Sequence, residues 1–259
     1  MIMDTKIPDS EPRSVKILSV CTDPISWAAM TPLTADPKRM QRERIVTFAR
    51  RHPASQAFDI MRTKLLKDAR KEHWRTIGIT APTAGCGKAT VAANLAVSLA
   101  RHDQLRVGLI DLDLRHPRIA QIFGREGPYT TQQFLRGQCL MEDFLMRLGD
   151  NLAIGASADS VICPSELLHG PGAAHMLERL REELGADLIL YNLPPLLESD
   201  DCLGLLPLME TSLLVVGAEF STIPDIDVSE RELQTATRLL GVVLNKCRYD
   251  ADQNSNFQA

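Results

Sequence analysis

The chain has 259 residues, 44% of them hydrophobic, and a formal net charge of −4; this suits one large α/β domain with a short extension and argues against a global attraction to nucleic acid. Its six cysteines are widely spaced with no Cys-x-x-Cys pair, and its six histidines show no ligand spacing, so neither a zinc site nor a disulfide framework is indicated. No N-terminal apolar run reads as a signal peptide, and the longest candidate span, Leu203 to Ala218, is broken by Pro207, Glu210 and Thr211, which leaves a cytoplasmic protein with at most peripheral membrane contact as the expectation.

Residues 1–43 are polar and punctuated by Pro8, Pro12, Pro24, Pro32 and Pro37. They are expected to form a mostly irregular arm. Lys38 to Arg51 carries six positive residues against Glu43 alone. Such a stretch is either a solvated basic surface or a patch for acidic lipid or an acidic partner segment. Within it, Ile45-Val46-Thr47-Phe48 reads as a first short strand. The folded domain is expected over 44–247, and a polar, disordered tail over 248–259.

Ser55 to Lys71 reads as a helix, because Phe58, Met61 and Leu65 recur at three- and four-residue spacing. Thr76 to Thr80 reads as a buried strand and Val91 to Ala100 as a helix. Between them runs Ala81-Pro82-Thr83-Ala84-Gly85-Cys86-Gly87-Lys88-Ala89-Thr90. A strand, a Gly-x-Gly-Lys turn and a helix make a phosphate-binding loop. The glycines let backbone N–H groups turn inward, the helix N-terminus adds its positive dipole end, and the lysine reaches the β/γ-phosphates. The candidate nucleotide contacts are Gly85, Cys86, Gly87, Lys88, Ala89 and Thr90. Two positions depart from the full pattern. Pro82 stands where its first glycine falls, and Ala89 where a Ser or Thr holds Mg²⁺.

Arg106 to Ile110 is a continuous apolar strand that runs into Asp111-Leu112-Asp113. Alternation along a strand makes Asp111 and Asp113 point the same way, and two carboxylates beside a phosphate loop suit a hydrated Mg²⁺. Residues 117–150 hold short helical pieces. Further strands are expected at Asn151–Ile154, Asp187–Tyr191, Leu213–Val216 and Val242–Leu244, with helices over Pro171–Leu184 and Asp225–Leu240. This alternation predicts a doubly wound, mainly parallel sheet flanked by helices, with ligands at the strand C-termini.

Five stretches in this order resemble the bacterial tyrosine kinases (BY-kinases) of capsule and exopolysaccharide clusters, relatives of the MinD/ParA-type P-loop ATPases. Thr80 to Ala96 is similar to the family's T-S-P-x-P-G-E-G-K-S-T loop with its N-L-A helix. Ile110 to Pro117, with Phe123-Gly124, resembles I-D-A-D-L-R-R-P. Cys163 to Leu168 resembles N-P-x-E-L-L. Tyr191 to Pro195, with Asp200, resembles D-x-P-P and its downstream Asp. Gly241 to Asn245 resembles the last strand, whose Asn lies near the adenine. The resemblance implies ATP or ADP and Mg²⁺ as cofactors, with Lys88, Asp111 and Asp113 as catalytic residues. Asp111 and Asp113 would be the metal residues, and Asn245 would join the nucleotide site. It also implies an integral-membrane chain-length-determinant (polysaccharide co-polymerase) partner holding the protein at the inner face of the plasma membrane, with no nucleic acid.

The departures from the family pattern are coordinated. Ala89 offers no oxygen to a metal. Thr90 lies about 100° further round the helix and does not substitute. Asn192 replaces the third-motif Asp and loses its charge. Cys86 replaces the loop's Glu. The ring-forming E-x-x-R-x-x-R helix keeps one of its three residues across Gln56, Asp59 and Arg62, which implies weak self-assembly. The tail holds Tyr249 in place of a tyrosine cluster, and Tyr129 and Tyr191 lie inside the fold. Loss of an outer-shell metal partner costs about 10–100-fold, so nucleotide binding is expected to persist with weakened or lost metal dependence. Three readings stand. One is a degenerate BY-kinase-like regulator of polysaccharide polymerisation or export, with weak or lost kinase activity. Another is an active ATP-dependent tyrosine autokinase of the same system, and the third a MinD/ParA-like positioning ATPase.

Overall fold

The computed structural model describes residues 25–49 and 54–247. Its strands are β1 Thr31–Leu33, β2 Thr76–Thr80, β3 Val107–Asp111, β4 Met146–Leu148, β5 Leu152–Gly155, β6 Leu188–Asn192, β7 Thr211–Gly217 and β8 Arg238–Asn245. The helices are α1 Pro37–Arg42, α2 Ser55–Glu72, α3 Lys88–Ala100, α4 Ile119–Phe123, α5 Thr131–Leu135, α6 Met141–Phe144, α7 Ser165–Leu168, α8 Pro171–Glu183 and α9 Ile223–Ala236. The strands form one sheet in the order β1-β4-β5-β3-β6-β2-β7-β8. Its pairings are parallel except for β4 with β5.

Helices cover both faces, which is why the inner strands are apolar throughout rather than alternating. In β6, Leu188 and Leu190 enter one core layer while Ile189 and Tyr191 enter the other. The first layer is closed by Met40 of α1, Leu65 of α2, Val91 of α3 and Phe123 of α4. The second is closed by Phe134 of α5, Phe144 of α6, Leu168 of α7, Leu177 of α8 and Leu233 of α9. Each such side chain stabilises the fold by about 1.5–3 kcal/mol when fully buried. Helix starts follow local chemistry: α5 and α9 open on capping boxes, Thr130 with Gln133 and Thr222 with Asp225. Among the described residues, no helix is long and apolar enough to cross a membrane.

Four local expectations change, one of them at the end of α9, expected at Leu240 but reached at Ala236 with Arg238–Leu240 already in β8. Inside the stretch expected to be irregular lie β1 and α1. Trp27 is buried there and donates its indole N–H to Leu184 O at 2.7 Å. Val46–Phe48 is a 3-10 turn, not a strand. Thr47 turns its hydrogen bonds onto α3, donating its N–H to Asn94 Oδ1 at 3.1 Å and its hydroxyl to Asn94 O at 3.0 Å. Asn94 Nδ2 returns a bond to Arg44 O at 3.0 Å. Another change is β4, which the sequence pattern merges with helical pieces and which pairs antiparallel with the expected strand β5. The tail from 248, Tyr249, Arg50 and Arg51 lie outside the described residues.

The order β3-β6-β2 sets the C-terminal ends of three strands side by side. Asn192 is the register partner of both Ile79 in β2 and Asp111 in β3. The loop after β2, the acidic end of β3 and the third motif at the end of β6 therefore meet.

Candidate functional site

The loop between β2 and α3 has the backbone that a phosphate cradle needs. Gly85 and Gly87 take φ values of 83° and 91°, in the left-handed region that side chains disfavour. The φ of Gly87 requires glycine there, and a Cβ would also displace the Asn245 amide. Asn245, at the end of β8, donates Nδ2–H to Cys86 O at 2.8 Å. This residue expected near a nucleotide therefore also braces the loop. Lys88 and Ala89 open α3, whose first N–H groups face the loop. Loop, helix N-terminus and lysine suit a nucleotide phosphate.

The metal side is differently made. Lys88 Nζ bonds Asp113 Oδ2, with Lys88 8% and Asp113 1% exposed. Asp111 is also buried, and both of its oxygens are taken. Oδ1 accepts from Asn192 Nδ2 at 2.7 Å and from Asp113 N at 3.3 Å. Oδ2 accepts from Arg118 N and Ile119 N, both at 2.9 Å. Asp111 thus caps the start of α4. Burial pushes its carboxyl above the usual range, against the pull of Asn192 and the Ile119 N–H. β3 ends at Asp111, so strand alternation does not reach Asp113. The two carboxylates have different partners: Lys88 for Asp113, and Asn192 with the start of α4 for Asp111.

These residues fit Mg²⁺ poorly. Ala89 has no oxygen and is buried. Asp111 already accepts four N–H donors, and the Asn192 amide beside it brings no charge. One buried acceptor, Asn192 Oδ1, has no protein partner and remains open to a water. No group of three or more His, Cys, Asp or Glu residues among the described residues is placed to hold a metal.

The remaining motif residues also find places. Arg115, from the second motif, reaches Asp201 with Nε and with Nη2, the latter at 3.1 Å. Ser165 Oγ donates to Asp201 Oδ1 at 2.5 Å. Burial pushes the Asp201 carboxyl up, but Arg115, Ser165 and Ser199 outweigh it and hold it below the usual range. Asp201 is fully buried, whereas Asp200 is exposed and lies 2.8 Å from Ser165 Oγ through its Oδ1. The sequence alone offers two adjacent Asp residues; the cue that separates them is the reach of Arg115. Cys86, in place of the loop's Glu, is buried with Sγ 3.4 Å from Ser221 Oγ. Thr90 is half-buried and its carbonyl accepts from Asn94 Nδ2 at 2.9 Å.

Burial ranks the thiols. Cys163 and Cys247 are exposed, whereas Cys86 and Cys202 are buried, and burial pushes the Cys202 thiol up to about 12. Alkylation of the native protein at pH 8 should modify Cys163 and Cys247 first and reach Cys86 and Cys202 only on unfolding. Peptide mass mapping over time checks this; early modification of Cys86 would mean that the loop opens in the native state.

Known proteins share this architecture. The ParA family model, described as NUBPL iron-transfer P-loop NTPase, matches residues 73–256. EpsB of Ralstonia nicotianae, described as a tyrosine-protein kinase, is 31% identical over 198 residues, which are 74% of this chain and 26% of EpsB. This chain thus spans about a quarter of the length of that relative. Tyrosine-protein kinase YwqD of Bacillus subtilis is 28% identical over 210 residues, 80% of this chain and 87% of YwqD. The kinase domain of Escherichia coli tyrosine kinase ETK superposes with a TM-score of 0.68 at 24% identity, covering 76% of this chain and 78% of that domain, a likeness of fold. With the loop, its lysine and the matched sequence coinciding on one sheet, the chain belongs to the ParA-type P-loop NTPase family, and its sequence is similar to the bacterial tyrosine kinases.

Proposed function

We propose that the chain is a BY-kinase-like P-loop protein that regulates exopolysaccharide or capsule polymerisation or export, with kinase activity weak or lost. The observation that carries the reading is the closed metal side. Asp111 is saturated by four N–H donors, one of them from the Asn192 amide, and Ala89 presents no oxygen. The glycine loop and Lys88 remain suited to ATP or ADP. Their charge attraction to phosphate does not require the metal. The relatives' names as tyrosine-protein kinases support the setting. An integral-membrane chain-length-determinant protein is the partner, and the exposed Arg42 and Arg44 are the basic contact surface. Phosphate release from ATP with Mg²⁺, followed together with phosphate on Tyr249, tests the reading. Turnover at the background level supports it. Sustained Mg²⁺-dependent release with phosphorylated Tyr249 would favour a working autokinase, the second reading, to which the nearness of Lys88, Asp111 and Asp113 lends weight.

Weak self-assembly is part of the proposal. Asp59 replaces a cation of the family's ring helix and is engaged within its own chain. It accepts from Arg62 Nη1 at 3.0 Å, Ser98 Oγ at 2.9 Å and Arg101 Nη1 at 3.2 Å. Asp59→Arg should set three cations together and lower stability by about 1–3 kcal/mol without producing a ring. Thermal melting and light scattering check both halves. A stable ring of about eight wild-type subunits, on the family's pattern, would contradict the proposal.

A further inference from the structure

The segment that follows β6 runs back along the phosphate loop. Thr80 Oγ1 donates to Pro194 O at 2.7 Å. Leu196 N donates to Ala81 O and Leu197 N to Pro82 O, both at 2.9 Å. The next side chain, Glu198, accepts from Ala84 N at 2.5 Å. Successive bonds therefore hold a carboxylate against the loop itself. The bond depends on residue 84 having an N–H, which a proline there would lack. Glu198 is exposed, and no ion pair with a cation is found for it among the described residues. Lys88, the nearest cation in the loop sequence, is committed to Asp113.

We propose that Glu198 is a specificity-determining residue that disfavours a nucleoside triphosphate relative to a diphosphate at this loop. The inference rests on the nucleotide-binding reading above. Glu198 is bonded to the backbone of the loop itself, at Ala84, so a phosphate cradled by that loop feels its charge over about one Debye length, 8–10 Å. Loop amides and the helix N-terminus hold the inner phosphates. The terminal phosphate adds charge beyond them, and the Glu198 segment continues directly from the end of β6 that carries Asn192. Unit charges about 8–10 Å apart across a wet surface change affinity by about 2–5-fold. With the metal side closed, that repulsion is not offset.

The test is calorimetric titration of ADP and of ATP, in metal-free buffer, into wild type, Glu198→Gln and Ala84→Pro. Glu198→Gln keeps the shape and the acceptor and removes the charge. It should raise ATP affinity by about 2–5-fold and ADP affinity by clearly less, with the difference shrinking as salt rises. Ala84→Pro, which removes the donor that holds the carboxylate, should shift the ratio in the same direction. An unchanged ATP/ADP ratio in Glu198→Gln, or an equal gain for both nucleotides, would overturn the role of Glu198 and leave nucleotide binding standing. Absence of binding by either nucleotide to wild type and to Glu198→Gln would overturn the nucleotide reading and this inference with it.

Discussion

Ala89→Ser combined with Asn192→Asp is expected to switch the site on. The serine restores an inner-shell oxygen at the start of α3. The aspartate restores the outer-shell charge at the end of β6. ATP hydrolysis should rise by about 10²–10⁴-fold, with a new dependence on Mg²⁺. The geometry adds a second expectation for Asn192→Asp alone. Asn192 Nδ2 lies 2.7 Å from Asp111 Oδ1, and the two residues are 0% and 1% exposed. The substitution sets two buried carboxylates in contact. Without a cation this should cost about 3–5 kcal/mol, a fall in Tm of roughly 6–20 °C for a domain of this size. Added Mg²⁺ should recover most of the loss in the variant and leave wild type unmoved. A double variant that binds ATP yet stays inert would place the block elsewhere, at Cys86 or at the missing ring contacts.

Lys88→Ala is expected to do damage of two kinds. Nucleotide binding should fall below detection, because the phosphates lose their main side-chain partner. Stability should fall as well, by about 3–5 kcal/mol, because Asp113 is left buried and charged. Its remaining hydrogen bond among the described residues comes from His116 N at 3.1 Å. The double variant Lys88→Met, Asp113→Leu should regain much of the stability and none of the binding, since an apolar pair of similar volume replaces a buried ion pair at little cost. Thermal melts of the three proteins check this. Equal stability of Lys88→Ala and wild type would mean that the ion pair contributes nothing to the fold.

The inner sheet was legible because its strands are unbroken apolar runs bounded by polar turns. Val107–Asp111, Leu188–Asn192 and Thr211–Gly217 lie within one or two residues of expectation at most ends. The loop was legible because Gly-x-Gly-Lys between a strand and a helix has few other uses. What escaped were features decided by tertiary partners. Ile45–Phe48 has strand composition, but Thr47 bonds Asn94 while Ile45 N and Phe48 N bond Met40 O and Ile45 O. β4 is three residues long and exists through its pairing with β1 and β5. Asp111 and Asp113 take different partners, which the strand pattern does not show. Asp201 rather than Asp200 meets Arg115, a choice that depends on which neighbour faces inward. Glu198 carries no sequence motif, and its place on the loop follows from the backbone bonds that precede it.

The central claim is that the phosphate half of this site is intact while the metal half is closed. Titration of ADP and ATP into the wild-type protein, with and without Mg²⁺, tests it most directly. The account predicts binding whose affinity changes by less than about tenfold when Mg²⁺ is added, the smallest effect assigned to a lost metal partner. A rise of more than about 100-fold on adding Mg²⁺, beyond the 10–100-fold that one outer-shell partner is worth, would contradict it and restore the site to working metal-dependent chemistry.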